Sequence, residues 1–162
     1  MVTLRRVVRE DLHVVVEIEN ACFIQGEAAT EIALKERMIT IPDTFIVASI
    51  GHKIVGFVNG PVISYEFITD DLFLTVKRNS ETGGHQSILG LAVLQEYQNR
   101  GIGGALLSYL EKIAQKQESE TVTLTCKGKY IPFYENHGYR NEGSSVSQLG
   151  GETWYNMIKR FG

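Results

Sequence analysis

The sequence has few cysteines and no long apolar run, and each shortage excludes a class of protein. Cys22 and Cys126 are its only cysteines. Because they lie far apart without Cys-x-x-Cys spacing, we expect neither a disulfide framework nor a zinc site. No stretch approaches the ~18 consecutive apolar residues of a membrane-spanning helix. The sequence therefore predicts a protein of the reducing cytoplasm with no membrane partner.

The chain also lacks a large excess of charge of either sign. The chain has 16 basic and 19 acidic residues and a formal net charge of −3. This balance does not predict binding to nucleic acid or to an anionic membrane, since both attract basic surfaces. Small molecules are the expected ligands. His13, His52 and His137 share no metal-ligand spacing, so we expect no metal site.

The length of 162 residues and the hydrophobic fraction of 43% suit one domain, spanning 1–162. A chain of this size buries enough apolar surface to fold without disulfides or metals. Arg5-Arg6 is followed by the acidic pair Glu10-Asp11 instead of an apolar signal core, so we expect no export. None of these features excludes a homodimer.

A glycine-rich turn between a strand and a helix is the strongest local feature. The run Leu89-Gly90-Leu91-Ala92-Val93 predicts a strand, and helical spacing begins after Gly101-Ile102-Gly103-Gly104. The first turn of a helix has free backbone N–H groups and the positive end of the dipole, which suit phosphate. Glycines let the backbone approach an anion, and Arg100 adds positive charge. We therefore attribute the three glycines to a ligand, because packing alone does not explain them.

Two common phosphate-binding loops do not match this turn. No glycine is followed at the right distance by Gly-Lys-Ser or Gly-Lys-Thr, which excludes a P-loop. The dinucleotide fingerprint fails because Leu106 lies where its third small residue belongs. The pattern that fits is Gln98-x-x-Gly101-x-Gly103.

Periodicity elsewhere predicts alternating strands and helices. Helical spacing begins at Leu12, at the candidate N-cap Thr30 and at Ile102, and Pro42 should end the second helix. The second helix is expected to carry the run Ile32, Leu34, Lys35 and Met38. Strands are expected at 3–8, 44–50, 54–62, 85–93, 121–125, 139–143 and 153–160. The segment 64–80 is expected to be a loop that either lines an acceptor mouth or lies on the surface.

Two motifs in this order resemble those of the GNAT N-acetyltransferase superfamily. Its pyrophosphate-binding motif is Gln or Arg, two residues, Gly, one residue, then Gly or Ala, and Gln98, Gly101 and Gly103 match it. Residues 131–139, Ile-Pro-Phe-Tyr-Glu-Asn-His-Gly-Tyr, resemble the segment in which these enzymes carry a tyrosine on a short helix. That helix is followed by Gly and an aromatic residue that begins the next strand.

The resemblance implies an α/β (α+β) fold with a mixed, mostly antiparallel sheet of seven strands and about four helices on both faces. Strands four and five would be parallel and splay apart to admit the pantetheine arm of acetyl-CoA, the implied cosubstrate. By resemblance, the contacts of acetyl-CoA are Leu91, Ala92, Val93, Gln98, Asn99, Arg100, Gly101, Ile102, Gly103, Gly104 and Ala105. The 91–93 backbone would bond the arm like an added strand.

The loop after the first helix resembles that of bacterial relatives of arylalkylamine N-acetyltransferases. Cys22-Phe23 and the run Glu27-Ala28-Ala29-Thr30 carry this resemblance. In that family the loop covers the acceptor amine, which makes Phe23, Glu27 and Ala28 candidate substrate contacts. The alternative is an ordinary connection between two helices.

The catalytic groups are only partly indicated. By resemblance, Tyr134 would protonate the departing thiolate, or it would only pack against the pantetheine. The arylalkylamine branch carries a His-x-His pair whose positions here are Ser87 and Leu89. His85 and Glu27 are therefore rival general bases. A water relay, or the free-base fraction of the substrate, is the remaining alternative.

The expected function is an acetyl-CoA-dependent N-acetyltransferase. It would transfer the acetyl group to the primary amine of a small molecule by direct attack in a ternary complex. The alternatives are a protein or peptide N-acetyltransferase and a non-catalytic acyl-CoA-binding domain. The resemblance does not identify the amine.

Overall fold

The structure, a computed structural model, describes residues 1–147 and 149–162. These residues contain nine β-strands and four α-helices. The strands are β1 (Val2–Arg6), β2 (Phe45–Ile50), β3 (Lys53–Asn59), β4 (Val62–Ile63), β5 (His85–Ile88), β6 (Gly90–Val93), β7 (Thr121–Lys127), β8 (Arg140–Ser144) and β9 (Trp154–Arg160). The helices are α1 (Leu12–Cys22), α2 (Glu31–Thr40), α3 (Ile102–Lys116) and α4 (Ile131–Asn136).

The strands form two sheets, so the prediction of one seven-stranded sheet is wrong. The first sheet has the order β1-β2-β3-β6 and the second the order β4-β5-β7-β9-β8. Two predicted strands are each divided: 54–62 becomes β3 and β4, and 85–93 becomes β5 and β6. The mixed, mostly antiparallel pairing is confirmed, with β5 and β7 as the parallel pair.

The two divisions occur at the same level of the fold. A Cβ on Gly60 would lie 2.0 Å from the carbonyl oxygen of Ser87, so only glycine allows this approach of two backbones. On the other strand, Leu89 N–H donates to Asn59 O at 2.8 Å although the register pairs Asn59 with Gly90. Leu89 and Gly90 therefore both lie opposite Asn59, and this arrangement is a β-bulge. The bulge transfers the chain from the second sheet to the first.

The bulge separates β6 from β7. The parallel pairing of β5 with β7 ends at Ile88 opposite Leu124. Beyond it, β6 pairs with β3, while residues 125–127 of β7 pair with β9. β6 is the last strand of the first sheet. A slot therefore opens between the unpaired edge of β6 and β7, at the place where the predicted strands four and five were expected to splay.

Helices cover both faces, as predicted. Ile102, Leu106 and Leu110 of α3 belong to one buried apolar cluster, and Val15 and Leu34 of α1 and α2 to another. Every α-helix in the described residues is too short or too polar to cross a membrane.

The start of α2 is as predicted, and a charged side chain faces the core. Thr30 is the N-cap, and its hydroxyl oxygen accepts a hydrogen bond from Ala33 N–H at 3.1 Å. Ile32, the first residue of the run predicted for this helix, is 83% exposed. The position that faces the core instead belongs to Arg37, which is only 2% exposed.

The segment 64–80 is a loop with one 3₁₀ turn, Asp70–Phe73, as the sequence predicts. It crosses the second sheet, where the Thr123 hydroxyl donates to Glu66 O at 2.5 Å. It is also bound to α2, because Arg37 Nη2 donates to Phe73 O at 3.1 Å. The loop therefore covers part of the sheet on the side of α2.

Candidate active site

The free edge of β6 presents backbone groups to the slot. Leu94 N–H donates to Val55 O at 2.9 Å, toward β3. Backbone groups alternate in direction along a strand, so the N–H groups of Leu91 and Val93 point away from β3, toward β7. On the same edge, Val93 O accepts a hydrogen bond from Gln98 Nε2 at 2.9 Å. Gln98 therefore fixes the glycine turn to the end of β6.

The glycine turn has the geometry of an anion site. Asn99 and Gly101 have positive φ angles of 63° and 82°, and such residues can direct successive N–H groups toward one point. Gly101 is the N-cap of α3 and has no side chain to cap it. The first bond of α3 runs from Ala105 N–H to Gly101 O at 3.0 Å. In the part of the chain that the structure describes, the N–H groups of 102–104 have no partner, which suits phosphate.

Two of the three glycines also have a packing role that the sequence did not indicate. A Cβ on Gly103 would lie 3.3 Å from Phe133 Cζ, and one on Gly104 would lie 2.7 Å from His137 Nε2. Phe133 is on α4 and His137 is its C-cap. Gly103 and Gly104 therefore let α3 and α4 approach closely, a packing role in addition to the predicted contact with a ligand.

Gly104→Ala should lower the free energy of unfolding by about 1–3 kcal/mol, the usual cost of overpacking. The added methyl group collides with the His137 ring, whose Nδ1 is hydrogen-bonded to Phe133 O at 2.8 Å. Urea unfolding measures the change. In the double variant with His137→Ala, the cost of Gly104→Ala should largely disappear. Equal costs in both backgrounds would contradict the contact.

Tyr134 lies on α4 beside the end of β7. Its ring contacts those of Phe133 and Tyr139 edge-on, with centroids 5.0 and 5.7 Å away. The Tyr139 hydroxyl donates to Glu111 Oε2 at 2.8 Å, whereas that of Tyr134 makes no hydrogen bond to any described residue. Burial, with a smaller effect of Cys126 on β7, raises the pKa of Tyr134 above its ordinary value. Its hydroxyl therefore stays protonated and, among residues 1–147 and 149–162, has no competing acceptor.

The loop between α1 and α2 reaches the wall of the slot. Glu27 has a side chain only 3% exposed, and its Oε2 lies 2.8 Å from Nζ of Lys127, the last residue of β7. Phe23 is the C-cap of α1 and packs on the cluster beneath α1 and α2. Ala28 is half-buried, and its N–H donates to Ile24 O at 3.0 Å. The predicted substrate contacts therefore lie in one ordered loop that an ion pair joins to β7.

His85 is at the other end of the divided strand. Its Nδ1 is hydrogen-bonded to Thr121 Oγ1 at 2.9 Å, and its Nε2 lies 3.4 Å from Glu120 Oε2. Gly90, where β6 begins, is five residues later, roughly 16 Å along the strand. His85 pairs with Thr121 at the start of β7, whereas Tyr134 lies near Cys126 at its end, so the structure does not bring His85 together with Tyr134. Among residues 1–147 and 149–162, no three His, Cys, Asp or Glu side chains are grouped so as to hold a metal ion.

Sequence reasoning missed a buried polar cluster beside β6. Glu19, Arg37 and Asn59 are 4%, 2% and 0% exposed. Arg37 Nη1 donates to Asn59 Oδ1 at 3.2 Å, and Glu19 Oε2 accepts from Ala29 N–H at 2.8 Å. The available signal was Glu19 itself, a carboxylate at helical spacing from the buried Val15. A charged residue on an apolar helix face is seldom fully buried unless it is paired.

Comparison with known proteins gives a family match. The sequence profile described as Acetyltransferase (GNAT) domain matches residues 41–141, more than half of the chain. An uncharacterized N-acetyltransferase of Bacillus subtilis (strain 168), YjcF, is 32% identical over 57 residues, 35% of this chain and 41% of that protein. Glucosamine 6-phosphate N-acetyltransferase of Candida albicans is 32% identical over 75 residues, 46% of this chain and 50% of that protein. The chain thus matches half or less of the length of these curated relatives.

The fold also resembles solved structures along its whole length. The GphF GNAT-like decarboxylase, solved in complex with isobutyryl-CoA, superposes with a TM-score of 0.84 over 98% of both chains. The sequence identity is 19%. At this identity the likeness shows a shared fold and nothing more.

Proposed function

The chain belongs to the family of acetyltransferase (GNAT) domains, and we propose that it is an acetyl-CoA-dependent N-acetyltransferase acting on the primary amine of a small molecule. Transfer occurs by direct attack in a ternary complex. One observation carries the proposal: the unpaired edge of β6 leads directly into the free N–H groups at the start of α3. An extended arm and a pyrophosphate, joined in one ligand, fit these two features.

The residues of the slot and the turn fit acetyl-CoA, which supplies an activated acetyl thioester when bound. The N–H groups of Leu91 and Val93 would bond the pantetheine arm as an added strand. The N–H groups of 102–104 would hold the pyrophosphate. Arg100 belongs to the same turn and would add its positive charge there. Its guanidinium lies 5.1 Å from the ring centroid of Tyr97, at the start of the turn. The Leu91 N–H would also face the carbonyl oxygen of the thioester.

Tyr134 is the proposed proton donor to the sulfur of CoA. Its buried ring is held by its neighbours, and its hydroxyl makes no bond to another described side chain. The two candidate bases are in a different situation. Glu27 is paired with Lys127, and His85 contacts Thr121 and Glu120. These contacts favour a base other than His85 or Glu27, and leave Glu27 as a contact that fixes the acceptor loop.

The raised pKa values of the two thiols support direct attack. Burial raises the pKa of Cys126 to about 11 and also raises the pKa of Cys22. The thiolate is the nucleophilic form of cysteine, so both side chains are poor acceptors of an acetyl group. A covalent acetyl-enzyme on cysteine is therefore disfavoured.

The test is acetyl-CoA binding followed by turnover. Acetyl-CoA at about 100 times its Kd should stabilise the fold by about 2.7 kcal/mol, measured as a thermal shift. CoA release with a panel of aryl- and alkylamines, polyamines and amino acids should then give intersecting initial-rate lines, because a ping-pong mechanism gives parallel ones. No heat and no thermal shift with millimolar acetyl-CoA would refute the proposal. Binding without CoA release would favour a non-catalytic acyl-CoA-binding domain.

A protein or peptide N-acetyltransferase is the second candidate. It needs an open acceptor groove, and the 64–80 loop, which would line the acceptor mouth, is joined to another segment. The Ser147 hydroxyl donates to Asp70 Oδ1 at 2.5 Å and so joins the chain after β8 to the 64–80 loop. This contact favours a small acceptor. Faster CoA release with N-terminal peptides than with any small amine would reverse the preference, and loss of CO₂ from a carboxylated acyl-CoA without an amine would indicate a decarboxylase.

A further inference from the structure

Two buried polar atoms converge on Gly90, the first residue of β6. Glu19 Oε2 accepts from Ala29 N–H, but Glu19 Oε1 has no hydrogen-bond partner among the described residues. Asn59 Oδ1 accepts from Arg37, which can only donate, so the orientation of the amide is fixed. Asn59 Nδ2 consequently faces the other way and, within residues 1–147 and 149–162, is also unpaired. One buried acceptor and one buried donor thus each lack a partner, and both lie beside Gly90.

Gly90 provides the space between these atoms. A Cβ on Gly90 would lie 3.6 Å from Asn59 Nδ2 and 3.9 Å from Glu19 Oε1. The next residue is Leu91, whose N–H points into the slot and is the proposed contact of the thioester carbonyl. The unpaired carboxylate oxygen is therefore one residue away from the proposed reaction centre.

We propose that Glu19 is the general base and takes the proton of the acceptor ammonium through one water molecule held between Glu19 Oε1 and Asn59 Nδ2. This inference rests on the proposed N-acetyl transfer and identifies the base of the same site. Water satisfies both buried atoms, because it accepts from the amide and donates to the carboxylate. Its second lone pair accepts an N–H of the ammonium.

The surroundings of Glu19 support this role. Burial raises the pKa of its carboxyl group, while the Ala29 N–H bond and Arg37 of α2 favour the ionised form. The other titratable group near it is Cys22 of α1, whose pKa Glu19 raises. β3 and β6 contribute the uncharged Asn59 and Gly90. A carboxyl group with a raised pKa is a stronger base than an exposed one, which suits it to accept a proton.

The proton balance closes with these residues. The ammonium R–NH₃⁺ gives one proton through the water to Glu19, and the freed lone pair forms the C–N bond with the carbonyl carbon. The C–S bond breaks with its electron pair on the CoA sulfur, which takes the proton of Tyr134. The second proton that leaves the nitrogen restores Tyr134 through solvent. The products are the amide, the CoA thiol and one proton that Glu19 releases to solvent.

A buried base matters only for an acceptor that arrives protonated. A primary alkylamine, with a pKa near the ~10.4 of lysine, is almost fully protonated at neutral pH. A weakly basic amine is already neutral and needs no base. The assignment of Glu19 therefore points to basic alkylamines as the acceptor class.

Glu19→Gln tests the assignment with ethylamine and 2,2,2-trifluoroethylamine, which match in length but differ in basicity. The glutamine carbonyl oxygen still accepts from Ala29 N–H. We expect kcat with ethylamine to fall about 100-fold, and kcat with trifluoroethylamine to fall less than about threefold. The KM for acetyl-CoA should not change. Glu17→Gln, which removes an exposed carboxylate of the same helix, should leave both rates unchanged.

Gly90→Ala is a second variant that does not remove the carboxylate. Its methyl group meets only ordinary van der Waals contacts but fills the position between the two unpaired atoms. We expect a folded protein with a lower melting temperature, because the two buried atoms lose the water that satisfies them, and about a tenfold or greater loss of kcat with ethylamine. This variant decides the question if Glu19→Gln does not fold, and an unchanged kcat then overturns the proposal.

The outcomes separate this inference from the proposed function. A wild-type protein that releases no CoA with any amine refutes the N-acetyltransferase itself. An active wild type, with a folded Glu19→Gln variant that loses equal factors with both amines or loses nothing, overturns only the assignment of Glu19.

Discussion

Tyr134→Phe should lower kcat by about 10²-fold or more, the usual scale for a removed general acid. The affinity for acetyl-CoA should hardly change, because the phenylalanine ring keeps its contacts with Phe133 and Tyr139. Single-turnover measurements with a good amine isolate the chemical step. Calorimetry gives the acetyl-CoA affinity. A loss of kcat without a loss of affinity would assign the hydroxyl to chemistry.

Tyr139→Phe is the matched control for this variant. Tyr139 is also a buried tyrosine, but its hydroxyl is bonded to Glu111. Removing it should lower stability by about 0.5–1.5 kcal/mol, or more if the carboxylate loses a needed donor, and should leave kcat unchanged. If Tyr134→Phe behaves in the same way, Tyr134 only packs against the pantetheine and its acid role is wrong.

The pH dependence of the rate follows from the direction in which the pKa of Tyr134 is shifted. Burial raises the pKa of this phenol above its unfolded value of ~10, so the neutral form is favoured in the folded protein. The hydroxyl is then fully protonated at every pH below ~10, and ionisation of Tyr134 should cause no loss of rate there. If the wild-type rate already declines as the pH rises toward about 9, and the rate of Tyr134→Phe does not, the raised pKa is contradicted.

Local sequence signals predicted the turn and the helix starts well, because these depend on neighbouring residues. Gly101 has the positive φ that its position requires, and Thr30 caps α2. The divided strands could not be predicted in this way. They depend on the approach of Gly60 to Ser87, two residues that are distant in the chain and meet only in the folded sheet.

The candidate base was hidden for a related reason. Motifs directed attention to His85 and Glu27, but Glu27 is paired with Lys127. Among the described residues, the buried carboxylate oxygen with neither a hydrogen bond nor an ion pair belongs to Glu19 of α1, which no motif includes. Its donor partner, Asn59, comes from β3. Hydrogen-bond satisfaction is a property of the folded neighbourhood, so no pattern in a single sequence indicates which polar atoms remain free.

Arg37→Ala should have the largest effect on stability, lowering the free energy of unfolding by about 3–5 kcal/mol. The guanidinium is buried and donates to Asn59 Oδ1 and to Phe73 O. Its removal takes the donor from the buried Asn59 Oδ1 and from the part-buried Phe73 O. It also leaves the Glu19 carboxylate without its nearby positive charge. Urea unfolding should show a lower midpoint with an unchanged slope.

Lys35→Ala and Arg37→Lys show whether this cost comes from the buried contacts of Arg37. Lys35 is an exposed residue of the same helix, so its replacement should change stability by no more than about 0.5 kcal/mol. Arg37→Lys keeps the charge but loses the planar fork that reaches Asn59 and Phe73 together, so it should recover only part of the loss. An Arg37→Ala variant as stable as Lys35→Ala would mean that neither oxygen needs the guanidinium. A loss in Arg37→Ala that Arg37→Lys restores in full would assign the effect to charge alone.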